Sequence, residues 1–91
     1  MVWSSGFSRT LKRLIRQKPQ LRLTIEQTIQ QLAEDPFHPS LRTHKLKGEL
    51  SDKWACSIDY NNRILFKFVE NFDSGTEEIL LLTVGSHDEV Y

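Results

Sequence analysis

The chain has 91 residues, which suits a single compact domain, residues 1–91, and leaves no room for a second. Its 38% hydrophobic and 26% charged residues are ordinary for a globular protein and exclude a disordered chain. The formal net charge of zero hides an asymmetry: residues 1–47 hold nine basic and three acidic side chains, and residues 48–91 hold three and nine. A basic half forms either a solvated face or a surface for an anionic partner, most commonly nucleic acid.

The composition predicts neither a membrane protein nor a secreted one. The longest apolar run, residues 79–82, is far shorter than the roughly 20 residues needed to span a bilayer. The first residues show no basic segment followed by an apolar stretch, so we expect no secretory signal. Cys56 is the single cysteine, which excludes an intrachain disulfide and a cysteine-based zinc cluster. We therefore expect a cytoplasmic protein.

The N-terminal part of the chain is predicted to form two helices. Ser4 and Ser5 offer N-caps for the first helix, and apolar residues recur at the helical period through residues 7–15. Pro19 ends this helix, and a second apolar stripe extends from Leu21 to Leu32 in a helix predicted to end near Asp35-Pro36. Because the break is short, we expect an antiparallel helical hairpin. Residues 1–3 are strand formers and are interpreted as a short edge strand.

The second part of the chain is predicted to form a sheet. After a turn-rich segment, residues 36–52, the hydrophobic period changes to two. Residues 54–60 and 63–69 are predicted strands joined by a tight turn at Asn61-Asn62. Residues 78–84 are apolar at nearly every position, which is typical of a central strand covered on both faces. The predicted class is α+β, an N-terminal helical hairpin packed on a small antiparallel β-sheet.

Few side chains suit catalysis. The sequence has no glycine-rich phosphate loop, and His38, His44 and His87 are too scattered for a zinc motif, so we expect no metal site and no cofactor. Cys56 falls on an apolar strand face and is interpreted as a core residue rather than a nucleophile. His38, between two prolines, is interpreted as a loop residue. The remaining candidates stand at the ends of predicted elements: His44, Lys45, Lys47, Arg63, His87 and Tyr91.

Three segments carry a family resemblance. They are His-Lys-Leu-Lys-Gly-Glu-Leu at residues 44–50, Asp-Tyr-Asn-Asn-Arg-Ile-Leu-Phe-Lys at residues 59–67 and Gly-Ser-His-Asp-Glu-Val-Tyr at residues 85–91. Together they resemble the RelE/ParE toxin superfamily, in particular its YafQ and YoeB branches, over essentially the whole chain. The resemblance implies a RelE-like fold and a bacterial type II toxin that cleaves mRNA, usually in the ribosomal A site, without a metal. It also implies a cognate antitoxin as partner.

The resemblance assigns roles to seven side chains. His44 and His87 match catalytic positions of the family and are assigned as general base and general acid. RNA transesterification needs a base for the 2′-hydroxyl and an acid for the departing 5′-oxygen, and free histidine titrates near neutral pH. Arg63 is expected to hold phosphate oxygens, and Tyr91 to stack on a base. The expected RNA contacts are Lys45, Lys47 and Lys67.

Two departures from the family pattern leave alternatives open. The paired lysines of RelE are absent where Trp54 and Cys56 lie, and the arginine that YafQ toxins carry before the final histidine is replaced by Thr83. One alternative is a ParE-like toxin that inhibits DNA gyrase without cleaving RNA. Such toxins generally lack the histidine–arginine set. The fold is shared by both kinds of toxin and does not distinguish between RNA cleavage and gyrase inhibition. The other alternative is a catalytically degenerate member that is retained only as an antitoxin-binding partner.

Overall fold

The protein consists of two long helices and one short helix around a five-stranded sheet, which confirms the α+β class. The structure is a computed structural model that describes residues 1–91. In chain order the elements are β1 (Val2–Trp3), α1 (Ser5–Gln17), α2 (Arg22–Glu34), β2 (His44–Lys45), β3 (Trp54–Ser57), β4 (Asn62–Asn71), β5 (Thr76–Ser86) and α3 (His87–Val90). None of the helices has the length and apolar character that crossing a bilayer requires.

The sheet has the strand order β1-β5-β4-β3-β2. The pairs β2–β3, β3–β4 and β4–β5 are antiparallel, as expected, whereas β1 pairs parallel with β5. The predicted edge strand at residues 1–3 is thus confirmed. Its direction is not set by a hairpin, because both long helices and three strands separate β1 from β5 in the chain.

Helix α1 covers the part of the β5 edge that β1 leaves open. Its N-cap, Ser4, accepts a hydrogen bond from the Phe7 N–H (3.0 Å) and donates one to the Leu82 carbonyl (3.2 Å). The Thr10 hydroxyl oxygen accepts the Val84 N–H at 3.2 Å. These two hydroxyls satisfy backbone groups of β5 that would otherwise form an unpaired strand edge.

The main core lies between the long helices and one face of the sheet. Both helices contribute an apolar stripe, and a 3₁₀ turn at Pro19–Leu21 joins them as the proline predicts. Cys56 belongs to this core, and burial raises the pKa of its thiol to about 12. The thiol therefore stays protonated at neutral pH, as a core residue would. The core residues are Phe7, Leu11, Leu14, Ile25, Leu32, Leu41, Cys56, Ile58, Ile64, Phe66, Ile79, Leu81 and Val84.

The predicted strand at residues 54–60 was too long, and the turn after it was misplaced. Strand β3 ends at Ser57, and the turn occupies residues 58–61. The cause is Asp59, whose Oδ1 accepts the backbone N–H groups of Asn61 (2.9 Å) and Asn62 (2.8 Å). Tyr60, predicted on the apolar strand face, is instead 90% exposed.

Candidate active site

The candidate site is built on the face of the sheet opposite the main core. Ala55 and Leu65 are cross-strand partners on this face, and both are buried although neither belongs to the main core. The C-terminal helix α3 contacts β4 and β5 and buries its own Val90. A Cβ added at Gly85 would lie 3.3 Å from Cβ of Glu89, which shows how closely α3 packs over β5. Helix α3 is not among the elements predicted from the sequence.

A capping box holds the start of α3. The Ser86 hydroxyl accepts the Glu89 N–H at 3.3 Å, and the Glu89 carboxylate accepts the Ser86 N–H at 3.1 Å. The Ser86 N–H is the main cause that lowers the pKa of Glu89, with a smaller contribution from Arg13, whose Nη2 lies 3.4 Å from Oε2. The Ser-x-x-Glu spacing is a recognised helix-start signature, so the sequence did contain a signal for this helix.

Tyr91 connects the two histidines that were assigned as base and acid. Its hydroxyl lies 3.3 Å from Nε2 of His44, and its ring makes an edge-on contact with the His87 ring, with centroids 4.4 Å apart. The Tyr91 N–H also donates to the His87 carbonyl at 3.1 Å, which ties the last residue to α3. The fold therefore brings together side chains from positions 44, 87 and 91.

A backbone carbonyl sets the tautomer of the neutral His44 ring. Nδ1 of His44 lies 3.1 Å from the Arg42 carbonyl, which only accepts hydrogen bonds, so Nδ1 carries the proton. Nε2 is then the lone-pair nitrogen that accepts the Tyr91 hydroxyl. Arg42, whose carbonyl makes this contact, has a left-handed backbone conformation (φ 51°), which is energetically unfavourable for non-glycine residues. Burial raises the pKa of Tyr91, against the opposing charge of Arg63, so the hydroxyl remains a donor at neutral pH.

Arg63 provides a cation whose bonding capacity is only partly used. It lies near the start of β4, where it is the cross-strand partner of Ser57 in β3 and of Gly85 in β5. Its Nη1 donates to the carbonyls of Asp59 (2.6 Å) and Asn62 (3.0 Å), whereas Nε and Nη2 make no hydrogen bond within the protein. No carboxylate forms a salt bridge with Arg63. The remaining donors are therefore available to an anion.

A cavity of about 480 Å³ lies beside Arg63 and His87. Asp88, fully exposed, is its only acidic residue, and Asp88 Oδ1 is 3.7 Å from Nδ1 of His87. The cavity also includes Lys18, the residue that follows α1, which the sequence analysis left unassigned. The residues around Lys18 in the sequence do not indicate that its side chain lines a cavity, because this placement depends on how α1 and α3 lie beside each other. The lining residues are Lys18, Tyr60, Asn61, Arg63, Ser86, His87 and Asp88.

The three lysines expected to contact RNA are not grouped around this cavity. Lys45 pairs with Trp54, whose side chain packs against the main core. Because side chains alternate along a strand, Lys45 lies on the opposite face of the sheet from His44. Lys47 precedes the 3₁₀ turn Gly48–Leu50. Lys67 shares the face of Arg63 but stands four residues further along β4, about 13 Å away.

No metal centre is evident among the potential ligands. Histidine, cysteine, aspartate and glutamate side chains form no group of three or more that could hold an ion. The groups that the site offers are two imidazoles, a phenol and a guanidinium.

Comparisons with known proteins point to one family. Residues 1–91 match the family described as bacterial toxin of type II toxin–antitoxin system, YafQ. No curated protein sequence matches the chain.

Solved structures share the fold over nearly the whole chain. YafQ in the E. coli DinJ–YafQ complex is 12% identical with a TM-score of 0.76, over 99% of this chain and 94% of that one. A YoeB/ParE toxin from Agrobacterium tumefaciens is 16% identical with a TM-score of 0.75, over 94% and 96%. A metal-bound toxin from Helicobacter pylori is 27% identical with a TM-score of 0.72, over 98% and 94%.

Proposed function

The chain belongs to the YafQ family of bacterial type II toxins, and we propose that it is a ribosome-dependent endoribonuclease that cleaves mRNA in the A site. The observation that carries this proposal is the contact of Tyr91 with both His44 and His87, beside an arginine with free donors. A base, an acid and a cation are the three groups that RNA transesterification needs.

In the proposed reaction, His44 acts as general base through Nε2. The 2′-hydroxyl of the RNA replaces the Tyr91 hydroxyl at Nε2 and transfers its proton there. The 2′-oxygen attacks the phosphorus, and the bond from phosphorus to the 5′-oxygen breaks. His87 in its protonated form gives the leaving 5′-oxygen a proton. The products are a 2′,3′-cyclic phosphate and a 5′-hydroxyl end.

Arg63 stabilises the charge that develops on the phosphorane. Its Nε and Nη2 make no hydrogen bond within the protein and no carboxylate forms a salt bridge with it, and a guanidinium can bind two phosphate oxygens at once. Lys45, Lys47 and Lys67 stay as proposed contacts to RNA outside the reacting group. The mechanism assigns no step to a metal ion, because proton transfer and charge stabilisation are supplied by side chains of the site.

We also propose a cognate antitoxin as the physiological partner. The E. coli relative of the same fold is described in complex with its antitoxin DinJ. Deleting the small reading frame next to the toxin gene should arrest growth if the toxin is expressed. A strain that grows normally would contradict this part of the proposal.

Toeprinting of mRNA on ribosomes supplied with the purified protein tests the activity. We expect cleavage within the A-site codon, and none when the nucleotide before the cut carries a 2′-deoxyribose, because the attacking oxygen is missing. A supercoiling assay with DNA gyrase should be run beside it, since one structural neighbour is described as a YoeB/ParE toxin. Gyrase inhibition without RNA cleavage would overturn the proposal.

A further inference from the structure

Tyr60 is the most exposed large hydrophobic side chain of the protein, at 90%. Its exposure is not the result of a loosely held loop. Asp59 Oδ1 binds two backbone N–H groups of the turn, the Ile58 N–H donates to the Asn62 carbonyl (3.0 Å), and the His87 N–H donates to the Asn61 carbonyl (3.1 Å). The turn is thus fixed on both sides of Tyr60 and holds the ring out in solvent beside α3.

The ring stands between two cavities that both carry cations. The cavity of about 480 Å³ contains Lys18 and His87, and a second cavity of about 300 Å³ contains Arg42. Tyr60 and Arg63 are the two residues that line both. None of the three basic residues Lys18, Arg42 and Arg63 has a salt-bridge partner. Each cavity also has one carboxylate in its lining, Asp88 in the first and Asp59 in the second, so basic side chains outnumber acidic ones on both sides of the aromatic ring.

This arrangement matches a nucleotide better than a peptide. A single-stranded nucleotide presents a flat base and a charged phosphate, which aromatic rings and basic side chains bind together. An apolar peptide anchor needs a hydrophobic pocket, whereas Tyr60 is the one hydrophobic residue among the seven that line the larger cavity.

We propose that Tyr60 is the stacking platform for an RNA base next to the scissile phosphate, and that Lys18 binds a phosphate of the same strand. The inference rests on the proposed ribonuclease function, because it places the substrate of that site. It assigns the 58–61 turn and the end of α1 to substrate binding, which neither the sequence pattern nor the family match identifies. The stacked base gives the site a means to position the strand before His44 and His87 act.

Binding of short single-stranded RNA that carries 2-aminopurine tests the platform independently of cleavage, because stacking quenches the fluorescence of this base. Tyr60→Ala should weaken binding about ten- to a hundredfold and reduce the quenching, with the Tyr91 ring still present, whereas Tyr60→Phe should keep both affinity and quenching. The matched control is Phe72→Ala, which removes an 87% exposed ring at the far end of β4, about 30 Å away. Phe72→Ala should bind like the wild type.

Lys18 is tested with Lys18→Gln and Lys18→Arg. The glutamine variant should bind RNA more weakly, and the slope of its affinity against salt concentration should fall by the amount expected for about one phosphate contact. The arginine variant should keep the affinity and the salt slope of the wild type. Equal RNA binding by wild type, Tyr60→Ala and Lys18→Gln would overturn the inference. So would a Tyr60→Ala variant that loses antitoxin affinity and keeps RNA affinity. A wild-type protein that binds the RNA but cuts no mRNA on ribosomes would contradict the proposed function and leave the subsite standing.

Discussion

Tyr91 shows how the last residue of a chain can join a site. Terminal residues are usually frayed, yet this side chain is only 39% exposed and touches both His44 and His87. Its hydroxyl and its ring make different contacts, since the hydroxyl reaches His44 and the ring edge packs on His87. The two contributions can therefore be separated by mutation.

Tyr91→Phe should retain most activity, because the ring stays and only an exposed hydrogen bond, worth about 0.5–1.5 kcal/mol, is lost. Tyr91→Ala should lower the cleavage rate roughly ten- to a hundredfold, since the proposed base-stacking surface and the His87 contact both disappear. Single-turnover cleavage on ribosomes measures the difference. Equal rates for the two variants would return Tyr91 to the role of a frayed end.

His87→Ala should abolish toxicity and leave the fold intact. The side chain is well exposed at the start of α3 and supports no core contact, so its loss removes the proposed general acid rather than packing. A cleavage rate lower by at least about 10²-fold is expected. Growth inhibition at equal expression measures the toxicity, and a thermal melt shows whether the variant is still folded. Wild-type toxicity in the variant would remove His87 from the mechanism.

Arg63→Ala should lower cleavage by about 10²–10³-fold through the loss of a donor to the developing charge. The structure adds a stability effect of about 1 kcal/mol, because Nη1 also ties the Asp59 and Asn62 carbonyls in the turn. Denaturant unfolding separates the two effects. A folded variant that cleaves at the wild-type rate would make Arg63 a structural residue of the turn.

At the scale of elements, the sequence predicted those whose pattern is long enough to repeat. The apolar stripe of α1, its Ser4 cap and the proline after it fixed both ends of that helix, and the stripe of α2 did the same less sharply. Strands β4 and β5 were predicted within two residues of their observed ends.

The elements that were missed are short or depend on one side chain. Strand β2 has two residues, too few for any period, and exists because His44 and Lys45 pair with β3. Strand β3 stops early because a single carboxylate, that of Asp59, captures the following amides. The candidate site follows the same logic: the polar residues at element ends could be named, but the positions of Lys18 and Tyr60 at the cavity depend on how α1, α3 and the turn pack.

Helix α3 should be sensitive to acid through Glu89. The pKa of Glu89 is lowered in the folded state, chiefly by the Ser86 N–H, so its contribution to stability is present above the unfolded pKa and is lost as the pH falls through the folded pKa. Glu89→Gln should therefore have a lower free energy of unfolding than the wild type near neutral pH. This difference between the two proteins should disappear below the folded pKa of Glu89. Urea unfolding at pH 7 and at acid pH tests this. A gap that stays constant with pH would contradict the role of the charge.

At the scale of the whole molecule, the charge asymmetry of the sequence becomes a basic face on α1. Arg9, Lys12, Arg13 and Arg16 line one open concavity with Ser5 and Ser8, and among these four basic residues only Arg13 has an acidic partner, Glu89. A segment of an antitoxin that folds on binding would supply the missing negative charge, as disordered partners commonly do. The face is remote in chain position from the histidines, but the C-cap residue of the same helix, Lys18, lines the cavity beside Arg63 and His87.

The antitoxin should therefore associate with the toxin at a rate that falls steeply with salt, because attraction between exposed charges steers the encounter and is screened beyond about 10 Å at 0.1 M. Lys12→Gln should slow association and weaken this salt dependence while leaving dissociation nearly unchanged. Gln27→Glu on α2 is the matched control, since it changes the net charge by the same amount at an exposed position outside the basic face. Association rates at low and high salt, measured with the cognate antitoxin on a sensor surface, provide the comparison. If Lys12→Gln and Gln27→Glu slow association equally, only the net charge matters, and the α1 face has no specific part in recognising the antitoxin.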